Sequence, residues 1–85
     1  MSYRIEITET VQKEISKKLE SHLIGRLDER VKKLESEPKI YGKPLRWPLA
    51  GIWEIRFEKR WRILYRIFED EKLVMIIGFK HKDEM

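Results

Sequence analysis

The chain has 85 residues, which suits one compact domain spanning 1–85 and leaves no room for a second. Its 19 Lys and Arg against 15 Asp and Glu give a formal charge of +4, pointing toward an acidic or polyanionic partner. The absence of cysteine excludes a disulfide framework, a thiol nucleophile and a thiolate metal site; MSYRIEI lacks a signal-peptide core and no run approaches about 18 apolar residues, so a soluble, cytoplasmic protein without a membrane span is expected.

In chain order, Tyr3 to Ile7 alternates apolar and polar residues and predicts a short strand. Thr8 offers a helix N-cap, with Glu9 in the first turn where a carboxylate favours the helix dipole. Val11, Ile15 and Leu19 recur every four residues and make one apolar stripe, leaving Lys13, Glu14, Lys17 and Lys18 toward water. Ser21 reads as a second cap, and Leu23, Ile24, Leu27, Val31 and Leu34 predict a longer amphipathic helix ending before Pro38. Residues 38–48 hold all three prolines and one glycine and read as a long ordered connection. Three strands follow, Leu49–Phe57, Trp61–Phe68 and Leu73–Phe79, the last two joined by a turn over residues 69–72. The fold class is therefore α+β: an N-terminal strand, a two-helix hairpin, then a three-stranded antiparallel meander, with the helices on one face of an antiparallel sheet.

The first hairpin calls for a loop of odd length, three residues or another odd number. A three-residue loop over Glu58, Lys59 and Arg60 opposes Phe57 to Trp61, Ile55 to Ile63, Trp53 to Tyr65 and Arg56 to Arg62. A two-residue loop would set Arg62 against Ile55, mixing charged and apolar faces, which side-chain alternation forbids where one face is buried. One face then carries Trp53, Trp61 and Tyr65 with the β-branched residues as core, leaving Trp47 as the tryptophan in contact with water. The other face carries Glu54, Arg56, Arg62 and Arg66. Like charges placed directly opposite cost about 0.2–1 kcal/mol, so the Arg56/Arg62 pair is either a solvated face balanced by Glu54 or a site awaiting an anion. His22 has no second histidine or carboxylate at metal-ligand spacing and reads as a surface or capping residue, so no metal site is expected.

The order of these motifs resembles the RelE/ParE toxin superfamily of type II toxin-antitoxin systems over nearly the whole chain. Gly42-Lys43-Pro44-Leu45 is similar to that superfamily's turn before the sheet, Leu49-Ala50-Gly51-Ile52-Trp53-Glu54-Ile55-Arg56 to its strand-opening motif, and Arg62-Ile63-Leu64-Tyr65 to its central strand. Gly78-Phe79-Lys80-His81-Lys82 is most similar to the end of the HigB-type branch.

The resemblance to the RelE and HigB branches implies a ribosome-dependent mRNA endoribonuclease in which the RNA 2′-hydroxyl attacks the adjacent phosphate, so that no metal, cofactor or covalent nucleophile is needed. It also implies partners: the ribosome and mRNA, and a cognate acidic antitoxin, in a homodimer or a toxin-antitoxin heterotetramer. On this reading Arg62 is the phosphate clamp, with Arg56 assisting it, because planar, permanently charged guanidinium groups bind two phosphate oxygens at once. Many members carry a tyrosine shortly after the basic tail where this chain stops at Met85, so His81 is expected to replace it in proton transfer. Either Lys80 or Lys82 is expected to steady the leaving oxygen or grip phosphate, and Glu54 is expected to be either a base or an ion-pair partner of the arginines. Lys80 and Arg66, with Lys13 and Lys17 of the first helix, are expected to bind RNA. Two other functions fit the same layout: a ParE-like inhibitor of DNA gyrase that cleaves nothing, and a degenerate toxin that only binds its antitoxin.

Overall fold

The computed structural model describes residues 2–84; Met1 and Met85, the latter named above in connection with the tail, lie outside them. Strand β1 (Arg4–Ile7) leads into helix α1 (Glu9–Lys18), whose N-cap is Thr8 in extended conformation, its hydroxyl accepting the Val11 amide at 3.3 Å. Leu19 and Glu20 are the whole connection to helix α2 (Ser21–Lys32). Ser21 is not a cap: it is the first helical residue, and Glu20 occupies the cap without a side-chain hydrogen bond. The chain then tightens into a 3₁₀ turn at Lys33–Glu35, and Pro38 opens a separate short helix α3 (Pro38–Tyr41). Proline suits this first helical position because it has no N–H to leave unpaired there.

The expected long connection is thus partly structured, and it ends in strand β2 (Lys43–Pro44), which pairs with Glu54 and Trp53. Strand β3 is shorter than expected, Trp53–Phe57. Residues 49–52 form a turn instead, in which Gly51 has φ +95° and the Ile52 amide donates to the Leu49 carbonyl. Strands β4 (Trp61–Phe68) and β5 (Leu73–His81) complete a five-stranded sheet in the order β1-β5-β4-β3-β2. The sheet is mixed, not antiparallel throughout, because β1 runs parallel to β5, with Ile5 beside Val74 and Ile7 beside Ile76.

The β3–β4 register is the expected one of the three-residue loop: Trp53 opposes Tyr65, Ile55 opposes Ile63, Arg56 opposes Arg62 and Phe57 opposes Trp61. Glu58 and Lys59 take positive φ values, 50° and 63°, to close the three-residue loop. The core lies between this face and the helices, where Val11, Leu19, Leu27, Val31 and Leu34 pack on Ile55, Phe57, Ile63, Tyr65, Ile76 and Phe79. Trp53 and Trp61 are partly buried, whereas Trp47 is 85% exposed. Ile24 departs from expectation at 44% exposed: at about 100° per residue it falls at the margin of the stripe of Leu23, Leu27, Val31 and Leu34, about 65° from its centre.

Tyr65 ties the connection to the sheet. Its buried hydroxyl donates to the Pro38 carbonyl. Gly42 passes so close that a Cβ there would overlap the Tyr65 hydroxyl and stand 2.9 Å from the Glu54 carbonyl oxygen. Burial raises the Tyr65 pKa from 10.0 to about 12. Since the unfolded phenol ionises near the lower value, stability from this group is fully present below pH 10.0 and is lost as pH rises toward about 12. Tyr65→Phe is therefore expected to be less stable by about 0.5–1.5 kcal/mol at neutral pH, because the hydrogen bond is gone. The gap should narrow between the two pKa values, where the variant lacks the Tyr65 titration and the two proteins otherwise share their titrating groups, as urea unfolding across that window will read out.

Candidate functional site

On the face of the sheet away from the helices, Arg56, Arg62 and Lys80 stand side by side on β3, β4 and β5, each the register partner of the next. With strands about 4.8 Å apart, the row spans about 10 Å. Arg56 turns its carbonyl to the outer edge of the sheet, where Arg30 Nε donates to it at 3.0 Å. Arg56 and Arg62 thus exchange no backbone hydrogen bond, and such pairs bring their Cα atoms to about 4.5 Å, the closer of the two antiparallel spacings.

One carboxylate holds this row together. Glu54 lies two residues before Arg56 on the same face, is 7% exposed, and places Oε1 3.1 Å from Arg62 Nε. Arg62 Nη1 also donates to the carbonyls of Lys59, at 3.3 Å, and Trp61, at 3.2 Å. Three contacts therefore orient the guanidinium, while its Nη2 donors have no protein partner among the described residues. Arg56 and Lys80 have no carboxylate within ion-pair distance among the described residues. Glu54 pairs with Arg62 alone and does not bridge the two arginines.

A β-bulge decides which tail residue joins the row. The β4–β5 pairing runs from Phe68 opposite Leu73 to Tyr65 opposite Ile76, then steps to Leu64 opposite Gly78, so that Ile77 is the extra residue. A one-residue shift exchanges the faces of every later side chain. It turns Phe79 into the core, where its ring stacks on Trp61 at 4.5 Å, and sends Lys80 to the open face. His81 consequently points toward the helices, opposite Trp61 and edge-on to its ring at 5.2 Å. Its Nδ1 accepts the Asp83 amide at 3.2 Å, and its own amide donates to Glu84. That backbone hydrogen bond holds the Glu84 carboxyl below its ordinary range.

The structure therefore brings Arg56, Arg62, Glu54 and Lys80 together and places His81 on the other face. Lys82 follows the strand in a 3₁₀ turn, its amide donating to the Arg60 carbonyl at 2.7 Å. Arg66 shares the open face but lies four residues from Arg62 along β4, about 13 Å away. Lys13 and Lys17 are exposed on α1, in the helical layer; Lys13 pairs with Glu9 at 3.6 Å. Sequence reasoning missed Arg26 and Arg30 of α2, Lys33 just after it and Lys59 of the turn, which line with Arg56 and Arg62 a cleft of about 490 Å³ at the free edge of β3. The signal was there at 26, 30 and 33, three cations at helical spacing, but no pattern in the chain says which strand edge that stripe meets.

Among the described residues no group of three His, Asp or Glu is placed to hold a metal ion, and no helix is long and apolar enough to cross a membrane.

Glu54→Gln keeps the shape and removes the charge that opposes Arg62. With a buried pair broken on one side, a loss of about 1–3 kcal/mol is expected. Part of it is repulsion along the row, so the loss should shrink at high ionic strength. Urea titrations at low and high salt test this; a salt-independent loss would mean that the row is not electrostatically strained.

Residues 5–85 match the family model described as the ParE toxin of the type II toxin-antitoxin system parDE. Toxin RelG of Mycobacterium tuberculosis is 31% identical over 85 residues, covering 100% of this chain and 97% of that protein. Among solved structures, the RelBE2 toxin-antitoxin complex of Mycobacterium tuberculosis is similar with a TM-score of 0.86 at 31% identity, over 96% of this chain and 100% of the matched one. The archaeal RelE-RelB complex of Pyrococcus horikoshii OT3 is similar in fold, with a TM-score of 0.76 at 22% identity and 100% coverage of both chains.

Proposed function

The chain belongs to the ParE toxin family, within the RelE/ParE superfamily of type II toxin-antitoxin systems, and from that premise we propose that it is a ribosome-dependent mRNA endoribonuclease. The observation that carries this reading is the guanidinium of Arg62, fixed by Glu54 and two carbonyls with its Nη2 side open, between Arg56 and Lys80. In-line attack by a 2′-hydroxyl on the adjacent phosphate gathers negative charge on the non-bridging oxygens. Donors already oriented toward those oxygens lower that barrier because they need no reorganisation at the moment of reaction. Arg62 is the clamp, Arg56 and Lys80 neutralise flanking oxygens, and Glu54 acts as a positioning residue rather than a base.

For proton transfer, His81 would have to leave Trp61 and Asp83 to reach the row. The reading therefore has Lys82, in the turn that follows the strand, give its proton to the leaving 5′-oxygen, while the proton of the attacking 2′-hydroxyl passes to water. Repulsion among the three cations in the free protein is relieved when a phosphodiester arrives, which favours binding.

The partner that restrains the chain is read as an antitoxin, since the similar RelBE2 and RelE-RelB structures are toxin-antitoxin complexes. The segment that meets the row is expected to be acidic, for the same electrostatic reason.

A second reading is a gyrase inhibitor without nuclease activity. It is favoured by the matching family model, which describes a ParE toxin, and by a row that contains a carboxylate.

Translating ribosomes incubated with the purified protein, followed by mapping of messenger 5′ ends, separate the two. Codon-phased cuts that fall about 10²–10³-fold in Arg62→Ala are expected, the loss typical of removing one transition-state donor. Intact messages together with blocked supercoiling by gyrase would replace the nuclease reading with the second.

A further inference from the structure

We propose that α2 and the turn after it carry a second phosphate subsite, formed by Arg26, Arg30 and Lys33 along the free edge of β3, which guides single-stranded RNA toward Arg62; this rests on the nuclease reading of the row. The distribution of charge is the first support. Six cations line the cleft against two carboxylates, Glu29 and Glu58, an excess equal to the +4 of the whole chain. The rest of the molecule is then formally neutral, and the net charge that draws a polyanion is concentrated at one edge.

Ion pairing is the second support. Outside the cleft some cations hold carboxylates, Lys13 with Glu9, Lys18 with Glu14, Lys39 and Lys72 with Glu69, while others, Lys17, Arg66 and Lys80 among them, hold none among the described residues. In the cleft Arg26 holds Glu58 at 2.7 Å and Arg62 holds Glu54, whereas Arg30, Lys33, Arg56 and Lys59 have no ion-pair partner among the described residues. Four uncompensated cations around one concavity repel one another, and a polyanion removes that repulsion.

Continuity is the third support. β2 pairs only with Trp53 and Glu54, so the edge of β3 beyond them is free of strand partners, and the Arg30 side chain crosses it to the Arg56 carbonyl. A strand whose phosphate sits at Arg62 thus meets the α2 cations next without leaving the cleft. Arginine forks match phosphate oxygens in pairs. Phe57 is the one apolar residue lining the cleft, which lacks the apolar anchors around which protein segments dock, so the occupant is a nucleic acid backbone rather than an acidic peptide.

The test uses fluorescence anisotropy with uncleavable 2′-O-methyl strands, a dodecamer and a trinucleotide, across a salt series. The double variant R26Q/K33Q should lower the slope of log Kd against log salt for the dodecamer by about 1.4, at about 0.7 for each phosphate no longer neutralised, and leave trinucleotide binding unchanged. The charge-conserving R26K/K33R should retain the wild-type slope, separating charge from folding. Arg62→Ala should weaken both strands. If R26Q/K33Q keeps the wild-type slope while Arg62→Ala still weakens binding, the subsite is refuted and the clamp survives. If the wild type binds neither strand, both fall. If polyglutamate displaces the dodecamer from the wild type but not from R26Q/K33Q, the cleft is a site for an acidic peptide and the proposal is wrong.

Discussion

Three cations occupy one row across three adjacent strands, and a single buried carboxylate makes that arrangement tolerable. Glu54 lies low on the open face of the sheet, nearly out of water, where a lone charge would be costly. Arg62 is its counterion at 3.1 Å, and the ion pair fixes Nε so that the other end of the guanidinium faces outward. The same pairing offsets the repulsion from Arg56 on one side and Lys80 on the other. The geometry of the candidate site follows from this pair: it selects which donors are spent inside the protein and which remain for an anion.

The row exists because two local irregularities set side-chain parity. The odd loop at Glu58–Arg60 aligns Arg56 with Arg62, and the bulge at Ile77 aligns Arg62 with Lys80. Without the bulge, Phe79 would stand beside Arg62 on the open face and its stack on Trp61 could not form. The apolar core and the charged row therefore impose the same register from opposite faces. The helices cover only the core side, and α2 reaches the sheet's edge, where Arg30 joins the two layers through the Arg56 carbonyl. The cleft of surplus positive charge opens at that junction.

Much of this was legible in the chain. The pattern Trp53-Glu54-Ile55-Arg56-Phe57 against Trp61-Arg62-Ile63-Leu64-Tyr65 restricts the loop to odd lengths, because an even loop buries an arginine, and the observed register is the three-residue one. The Thr8 cap and the Val11–Leu19 stripe were equally plain, since they depend on interactions within one turn or one helix face. The placement of the tail was not. Lys80 and His81 exchange faces with a single inserted residue, and Val74-Met75-Ile76-Ile77-Gly78-Phe79 reads as an almost unbroken apolar run in which the extra residue is hidden. Only the odd spacing between buried Ile76 and buried Phe79 betrays it. The parallel pairing of β1 with β5 and the contribution of α2 to the cleft depend on residues far apart in the chain meeting in space, which local periodicity does not encode.

The central claim is that Arg62, oriented by Glu54, presents its free guanidinium edge to a phosphodiester. Arginine side-chain ¹⁵Nε NMR during titration with an uncleavable 2′-deoxy strand tests it most directly. In the free protein the Arg62 Nε–H should exchange slowly with water, and on titration the Arg62 and Arg56 signals should shift together with one common Kd. Fast-exchanging Arg62 Nε–H, or shifts confined to arginines outside the row such as Arg4, would contradict the account.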